Sequence, residues 1–136
     1  MIGLVLVTHG ELAVEFLHAV EHVVGTQEKF ATVCVYPDDD MDQRQGDIIA
    51  AVSSTDTNHG VIILTDVFGG TPSNIAIPAI EKGRVEMIAG VNLPMLIKLI
   101  SIRQCPDISL SEALRIAQEA GRKYINVPSM TLIADS

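Results

Sequence analysis

The chain has 136 residues, a length typical of one domain that folds around its own core. Hydrophobic residues make up 48% and charged residues 19%, and the mean hydropathy is +0.35, which excludes intrinsic disorder. No run approaches the roughly 18 uninterrupted apolar residues of a membrane span. The net charge is −8 and the nine basic residues are scattered, so nucleic acid is not an expected partner. We interpret residues 1–136 as a single domain.

Apolar β-branched runs and helical periods alternate along the chain. The first run, residues 2–8, predicts a buried strand, and residues 11–24 have one apolar helical face. The later predicted elements are a strand over 30–36, a helix from the capping residue Asp40 to about 53, a strand over 61–66, a helix from the cap Thr71 to 82, a strand over Val85–Ala89, and helices over Leu93–Ile102 and from the cap Ser109 to 122.

The last apolar segment, residues 124–133, predicts one more strand. Pro128 lacks the N–H that a central strand needs, so this strand is expected at a sheet edge. The segment carries few charged residues, so little in it opposes pairing with another strand. A chain of this size seldom needs so many apolar residues for its own core, and we therefore expect some to be buried against a second copy.

Strands that alternate with helices predict an α/β fold, a doubly wound three-layer sandwich around a mainly parallel sheet. The first and third strands have the most buried character, and as neighbours they give the strand order 2-1-3-4. Ligands of such sheets bind at the carboxyl ends of the strands, at the point where the order reverses. We therefore expect a site between the loop after Thr8 and the loop after Thr65.

Reactive side chains follow both of these strands. His9 ends the first and Asp66 the third, and a carboxylate on one ring nitrogen leaves the other nitrogen as a nucleophile. Gly69, Gly70 and Thr71 come just before a predicted helix, where backbone N–H groups can bind an anion. The pattern therefore predicts a phosphoryl-transfer site, since that chemistry requires a nucleophile in line and donors for the phosphoryl oxygens.

Three motifs, in this order and spacing, resemble a known family. They are VTHG at residues 7–10, TDVFGGTPSN at 65–74 and GVNLPML at 90–96. Together they resemble the signatures of the mannose-family IIA domain of the bacterial phosphoenolpyruvate-dependent sugar phosphotransferase system. The resemblance covers nearly the whole chain.

The resemblance implies a phosphotransferase with a phosphohistidine intermediate at His9 and with Asp66 as the partner of its ring. The phosphoryl group would come from the phosphocarrier HPr and pass to a IIB component or serve as a regulatory signal. The backbone around Gly70 and Thr71 would receive it. No cofactor and no metal are implied, and the family forms a homodimer that exchanges its C-terminal strand. The residues assigned to the wall of the site are Thr8, Phe68, Asn92, Pro94 and Met95.

Two features depart from sugar-transporting relatives. Those relatives often have Trp at the position of Phe68 and Ser at that of Thr71, and many continue through a linker into a fused IIB domain. Phosphate acceptance from HPr is little affected by these differences. The final acceptor, and whether any sugar is transported, are left open.

The residues also allow other functions. Asp66 lies where a receiver-like signalling domain carries its phosphoaspartate, although paired acids are missing after the first strand. The HGE motif at residues 9–11 resembles part of the histidine phosphatase signature, but Thr8 stands in place of its arginine. His18 and His22 have the spacing of metal ligands, yet they lie on the polar stripe of a helix, and we expect no metal site there.

The start of the chain and its cysteines bear on localisation. The first four residues lack the basic start of a secretory signal. Cys34 and Cys105 are isolated from each other, which is typical of a reduced compartment. We expect a cytoplasmic protein that does not insert into a membrane.

Overall fold

Four short strands rich in aliphatic residues form one parallel sheet. The structure, a computed structural model, describes residues 1–130. The strands are β1 (Gly3–His9), β2 (Phe30–Val35), β3 (Val61–Thr65) and β4 (Val85–Ala89). Their order is β2-β1-β3-β4, and each neighbouring pair is parallel. The predicted mainly parallel α/β sheet and its strand order are confirmed.

Helices cover both faces of this sheet. They are α1 (Leu12–Val24), α2 (Met41–Thr55), α3 (Thr71–Ala76), α4 (Leu93–Ile102) and α5 (Leu110–Lys123). One hydrophobic cluster joins the sheet to α1, α4 and α5, and a second joins it to α2 and α3. The doubly wound sandwich is therefore confirmed. Within residues 1–130, no helix is long and apolar enough to cross a membrane.

The central strands are buried on both faces because each has a strand on either side and helices above and below. Side chains of β1 alternate between the two clusters: Leu4 and Leu6 belong to the first, Val5 and Val7 to the second. Every residue of β3 is buried as well. This rigid central pair of strands ends at the edge of the sheet where the site was predicted.

Side-chain caps define where two of the helices begin. Asp40 accepts a hydrogen bond from the backbone N–H of Asp42 at 3.0 Å, at the start of α2. Ser109 accepts one from the N–H of Glu112 at 3.1 Å, at the start of α5. Both caps satisfy N–H groups that have no partner inside the helix, and both were predicted.

The helix predicted over residues 71–82 is wrong in its cap and in its length. Gly70 occupies the cap position, and the side chain of Thr71 makes no capping hydrogen bond. The helix α3 has six residues and is followed by a 3₁₀ turn, Ile77–Ala79. Pro78 has no N–H to continue the α-helical ladder, which explains the early end.

The strand predicted over residues 124–133 is also wrong as far as the structure describes it. Residues 124–130 contain a turn at Tyr124 and a short helical segment at 128–130, and they join none of the four strands. An extended segment becomes a strand only when it lies beside another strand that completes its hydrogen bonds. Residues 131–133 of that prediction lie outside the described residues.

Candidate functional site

His9 and Asp66 meet where the two central strands end. Val7 and Thr65 are opposite each other in the parallel register of β1 and β3, so the next residues of both strands emerge side by side. The ring Nδ1 of His9 lies 2.8 Å from Oδ2 of Asp66. The backbone N–H of His9 donates to the same oxygen at 3.0 Å. The structure therefore brings together the two side chains on which the predicted chemistry depends.

The hydrogen bonds of Asp66 determine the tautomer of His9 and the ionisation of Asp66 itself. A carboxylate only accepts, so the Nδ1 of His9 carries the proton and the lone pair of Nε2 is available. The other oxygen, Oδ1, accepts from the N–H of Val67 at 3.0 Å. Partial burial by itself raises the pKa of Asp66, but the hydrogen bonds from His9 and Val67 outweigh it and the pKa lies below its ordinary value of 3.8. Asp66 is thus ionised at neutral pH.

The two side chains differ in their access to solvent. The side chain of His9 is 51% exposed and that of Asp66 is 15% exposed. The ring that carries the free Nε2 lone pair is exposed, whereas the carboxylate that orients this ring is shielded. This arrangement suits a reaction in which the other reactant is held by a second macromolecule.

A glycine turn lies against the reactive edge of the ring. A Cβ added at Gly70 would lie 2.8 Å from Cε1 and 3.3 Å from Nε2 of His9, which is closer than side-chain carbons normally approach. Gly69 has a φ of +90°, a conformation that other residues rarely adopt. The N–H of Gly70 points at the carbonyl of Val67, but the distance of 3.4 Å is long for a hydrogen bond. The turn thus places backbone directly beside Nε2.

Asn74 ties this turn to the helix that follows. Its backbone N–H donates to the carbonyl of Gly70 at 2.9 Å, and its side-chain Nδ2 donates to the carbonyl of Gly69 at 3.2 Å. No separate role was predicted for Asn74 from the sequence. Its place at the end of the 65–74 motif was the available signal.

A groove with a volume of about 270 Å³ opens beside the imidazole. Val35 of β2 is opposite His9 in the sheet, and its carbonyl accepts from the N–H of Gly10 at 2.8 Å. The chain that follows β2 therefore runs past the site. The residues that line the groove are His9, Gly10, Val35, Tyr36, Pro37, Met41 and Thr71. The contribution of Tyr36, Pro37 and Met41 was not predicted, although the predicted strand order places the end of β2 at this edge.

Tyr36 contributes a hydroxyl to the rim of the groove. Desolvation raises the pKa of Tyr36, and the nearby negative charge of Glu11 raises it further. The phenol is therefore a neutral donor at physiological pH.

A comparison with known protein families identifies the type of site. The chain matches the family model described as "PTS system fructose IIA component" over residues 3–117. The chain belongs to this IIA family. The resemblance to mannose-type IIA domains is therefore confirmed, and the chain is a phosphotransferase-system component by family.

Relatives of the IIA family match most of the chain. The mannose-specific EIIAB component of Escherichia coli K12 is 34% identical over 125 residues, which are 91% of this chain but 38% of that protein. The sorbose-specific EIIA component of Lacticaseibacillus casei is 30% identical over 119 residues, 85% of this chain and 86% of that protein. The crystal structure of a PTS IIA protein associated with the fucose utilization operon of Streptococcus pneumoniae is 28% identical, with a TM-score of 0.79 and 94% of each chain covered.

Two residues assigned to the wall of the IIA site differ in exposure. Thr8 is fully buried, and its Oγ1 accepts from the N–H of Ala13 at 2.7 Å, so it fixes the first turn of α1 beside His9. Phe68 is 73% exposed in the turn before Gly69. Phe68 is therefore available to another molecule, and Thr8 acts by holding the loop.

The third IIA motif lies next to Asp66 but is held mainly by α5. The N–H groups of Gly90 and Val91 donate to the carbonyl of Thr65 at 3.0 and 3.1 Å, which brings the start of the motif to the end of β3.

Within that motif, Asn92 and Met95 contact α5. Asn92 accepts from the N–H of Met95 and donates to the carbonyl of Gly121, each at 3.0 Å. A Cβ added at Gly121 would meet the terminal methyl of Met95 at 2.9 Å. Pro94 lies half-buried in the first turn of α4. The role of Asn92, Pro94 and Met95 in the wall of the site stays a prediction.

The histidines of α1 lie apart from this site. His18 pairs with Glu15 at 3.8 Å, and both side chains are exposed. In the part of the chain from residue 1 to 130, no group of three or more His, Cys, Asp or Glu side chains is arranged to hold a metal ion.

Proposed function

We propose that the chain is a phosphoryl carrier of the sugar phosphotransferase system. It accepts a phosphoryl group from phosphorylated HPr on Nε2 of His9 and passes it to a IIB component, or holds it as a regulatory signal. The observation that supports this is the 2.8 Å contact between Nδ1 of the half-exposed His9 ring and the shielded carboxylate of Asp66. The family of the chain is consistent with this chemistry.

The bonds that form and break in the transfer step involve only His9 and the phosphoryl donor, and Asp66 stabilises the charge that develops on the ring. The lone pair of Nε2 attacks phosphorus in line, a nitrogen–phosphorus bond forms, and the bond from phosphorus to the ring nitrogen of the donor breaks. The proton stays on Nδ1 of His9. The positive charge that develops on the ring is stabilised by the carboxylate of Asp66, which is already hydrogen bonded to it.

The turn beside the ring is the proposed binding site of the phosphoryl oxygens. Gly69, Gly70 and Thr71 place backbone N–H groups within this turn, and Gly70 has no side chain between its backbone and Nε2. Thr71 also lines the groove beside His9. These residues would replace the water that solvates a phosphoryl group.

A phosphorylation experiment tests the proposal. Incubation with phosphoenolpyruvate, enzyme I and HPr should give a protein with an acid-labile, base-stable label. His9→Ala should take no label, because no other described histidine ring contacts Asp66. His22→Ala is the matched control: it removes an exposed histidine from α1 and should label like the wild type. Equal labelling of His9→Ala and the wild type would contradict the proposal.

The receiver-like alternative is less compatible with the geometry. Both carboxylate oxygens of Asp66 accept hydrogen bonds from His9 and Val67, and a phosphorylated Asp66 would lose at least one oxygen from this set. Labelling by acetyl phosphate that persists in His9→Ala and disappears in Asp66→Asn would instead support the alternative.

We also propose that the chain forms a homodimer through its C-terminal segment. The resemblance implies exchange of this segment, and its apolar side chains are highly exposed in the single chain. Tyr124 is 62%, Ile125 is 76% and Met130 is 72% exposed. Burial of such side chains against a second copy would remove them from water.

A further inference from the structure

Two fully buried hydroxyl groups lie behind the His9–Asp66 pair. Thr65 and Ser73 are each 0% exposed. Within the described residues, neither Oγ1 of Thr65 nor Oγ of Ser73 has a hydrogen-bond partner. Buried polar groups in proteins are nearly always paired, and each one that is not needs an explanation. An apolar side chain of similar shape at either position would avoid the cost of burying a hydroxyl.

Both hydroxyls are carried by the elements that build the site. Thr65 is the last residue of β3 and directly precedes Asp66. Strand alternation places its side chain on the same face as Ile63, the face that α2 and α3 cover. Ser73 lies in the first turn of α3, three residues after Gly70. The two hydroxyls thus belong to the layer between the sheet and α3, at its catalytic end.

The turn between these residues is the part of the site that a phosphoryl group would touch. Gly70 lies so close to the Cε1–Nε2 edge of His9 that even a methyl group there would overlap the ring. A phosphoryl group on Nε2 would therefore lie against residues 66–70. The hydrogen bond from Gly70 N–H to the carbonyl of Val67 is long, at 3.4 Å, and its N–H can be redirected at small cost.

We propose that Thr65 and Ser73 are positioning residues for this turn in the phosphorylated protein. The inference rests on the proposed function. When the N–H of Gly70 reorients toward a phosphoryl oxygen, the carbonyl of Val67 loses its donor. The hydroxyls of Thr65 and Ser73 then donate to carbonyls of residues 66–70, that of Val67 among them. Because the hydroxyls are unpaired in the unphosphorylated protein and paired in the phosphorylated protein, they stabilise the phosphorylated form relative to the other.

Removal of each hydroxyl tests this role. Thr65→Val keeps the shape of the side chain, and Ser73→Ala removes a single oxygen. Neither change breaks a hydrogen bond of the unphosphorylated protein, so its denaturant midpoint should stay equal or rise. The equilibrium constant for phosphoryl exchange with HPr should fall about tenfold in each variant, which corresponds to ~1.4 kcal/mol. Wild-type exchange constants in both variants would overturn the inference.

Two further variants separate positioning from stability. Thr65→Ser loses a methyl group but keeps the hydroxyl, so it should be less stable and yet keep the wild-type exchange constant. Thr55 is the last residue of α2 and lies far from the site, and its buried hydroxyl donates to the carbonyl of Ala51 at 2.9 Å. Thr55→Val removes this hydroxyl. It should lose stability without a change in exchange. A fall in Thr65→Ser as large as that in Thr65→Val would overturn the inference.

The same experiment distinguishes this inference from the function on which it rests. If the wild type takes no label from HPr, the proposed function fails and the inference fails with it. If the wild type is labelled and the exchange constants of Thr65→Val and Ser73→Ala equal its own, only the inference fails.

Discussion

One carboxylate oxygen of Asp66 accepts hydrogen bonds from two nitrogen atoms of His9. Oδ2 of Asp66 accepts from the backbone N–H and from the ring of the same residue, so the backbone and the imidazole are oriented together. Each bond involves a charged acceptor, which makes it stronger than a neutral hydrogen bond. The rotamer of His9 is therefore set before any reactant arrives.

The lowered pKa of Asp66 predicts a specific acid dependence of stability. The folded chain binds the proton less readily than the unfolded chain, whose carboxyl titrates near 3.8. The contribution of Asp66 is therefore complete above that pH and is lost as the pH falls through the lower folded value. We expect the free energy of unfolding to decline less steeply with acid in Asp66→Asn than in the wild type below about pH 4. Urea denaturation across this pH range measures the free energy of unfolding of both proteins. Equally steep declines in Asp66→Asn and the wild type would contradict the prediction.

The contact between Gly70 and His9 predicts that a methyl group at this position interferes with the site. The φ of Gly70 is −78°, so alanine is compatible with the backbone and only the clash with Cε1 remains. Gly70→Ala should lower the rate of His9 phosphorylation by about tenfold or more, because a small displacement of a reacting group is costly. The initial rate of label transfer from HPr is the measurement.

Gly46→Ala is the matched control for this change. A Cβ at Gly46 meets no atom within 4 Å, and the residue lies inside α2. Alanine should raise helix stability by up to about 1 kcal/mol and leave phosphorylation unchanged. Equal rates in Gly70→Ala and Gly46→Ala would show that the close approach of Gly70 has no effect on the reaction.

At the scale of elements, the strands were predictable because their apolar runs reflect burial on both faces. The adjacency of β1 and β3 followed from the same pattern, and this is why the pairing of His9 with Asp66 was predictable from the sequence. The length of α3 was not predicted, since the periodic pattern continues past Pro78. The groove residues Tyr36 and Met41 were missed because their contact with the site arises from strand order and carries no motif.

Asn92 shows how a tertiary contact escapes sequence analysis. Its position before Pro94 is typical of a helix cap, and the structure confirms a cap to Met95 N–H. The bond from its Nδ2 to the carbonyl of Gly121 joins α4 to α5, elements that are separated by 29 residues at these positions. The side chain assigned to the wall of the site thus stabilises the packing of two helices.

We therefore predict that Asn92→Ala destabilises the fold. Loss of the cap should cost about 1–2 kcal/mol, and the unpaired carbonyl of Gly121 adds to this. Ser109→Ala, which removes the cap of α5 alone, should cost about 1 kcal/mol. Denaturant unfolding of both variants provides the comparison. A loss of stability in Asn92→Ala no larger than that in Ser109→Ala would mean that the hydrogen bond from Asn92 to Gly121 does not contribute to stability.

At the scale of the molecule, the single chain leaves apolar surface that its own core does not use. The exposed side chains of residues 124–130 follow α5 directly, and this segment accounts for part of the apolar surplus in the composition. Residues 1–123 already supply a hydrophobic cluster on each face of the sheet. A second copy is the proposed cover for the segment.

We predict that removal of residues 124–136 converts a dimer into a monomer. Sedimentation of the full chain should give a little more than twice the mass of the truncated chain. Ile125→Ser should weaken the dimer, because this side chain is exposed in one chain and would be buried in two. Ile49→Ser, at an exposed position of α2, is the control and should leave the mass unchanged. A full-length monomer would refute the prediction.

The separation of His9 and Asp66 along the chain has a consequence for biosynthesis. The two residues are 57 positions apart and meet only across the boundary between β1 and β3. His9 leaves the ribosome early, but it lacks its partner until β3 has been made and has inserted beside β1. A nascent or misfolded chain therefore carries the histidine without the reactive pair. If His9 accepts a phosphoryl group as we propose, that ability reports that the centre of the sheet has assembled.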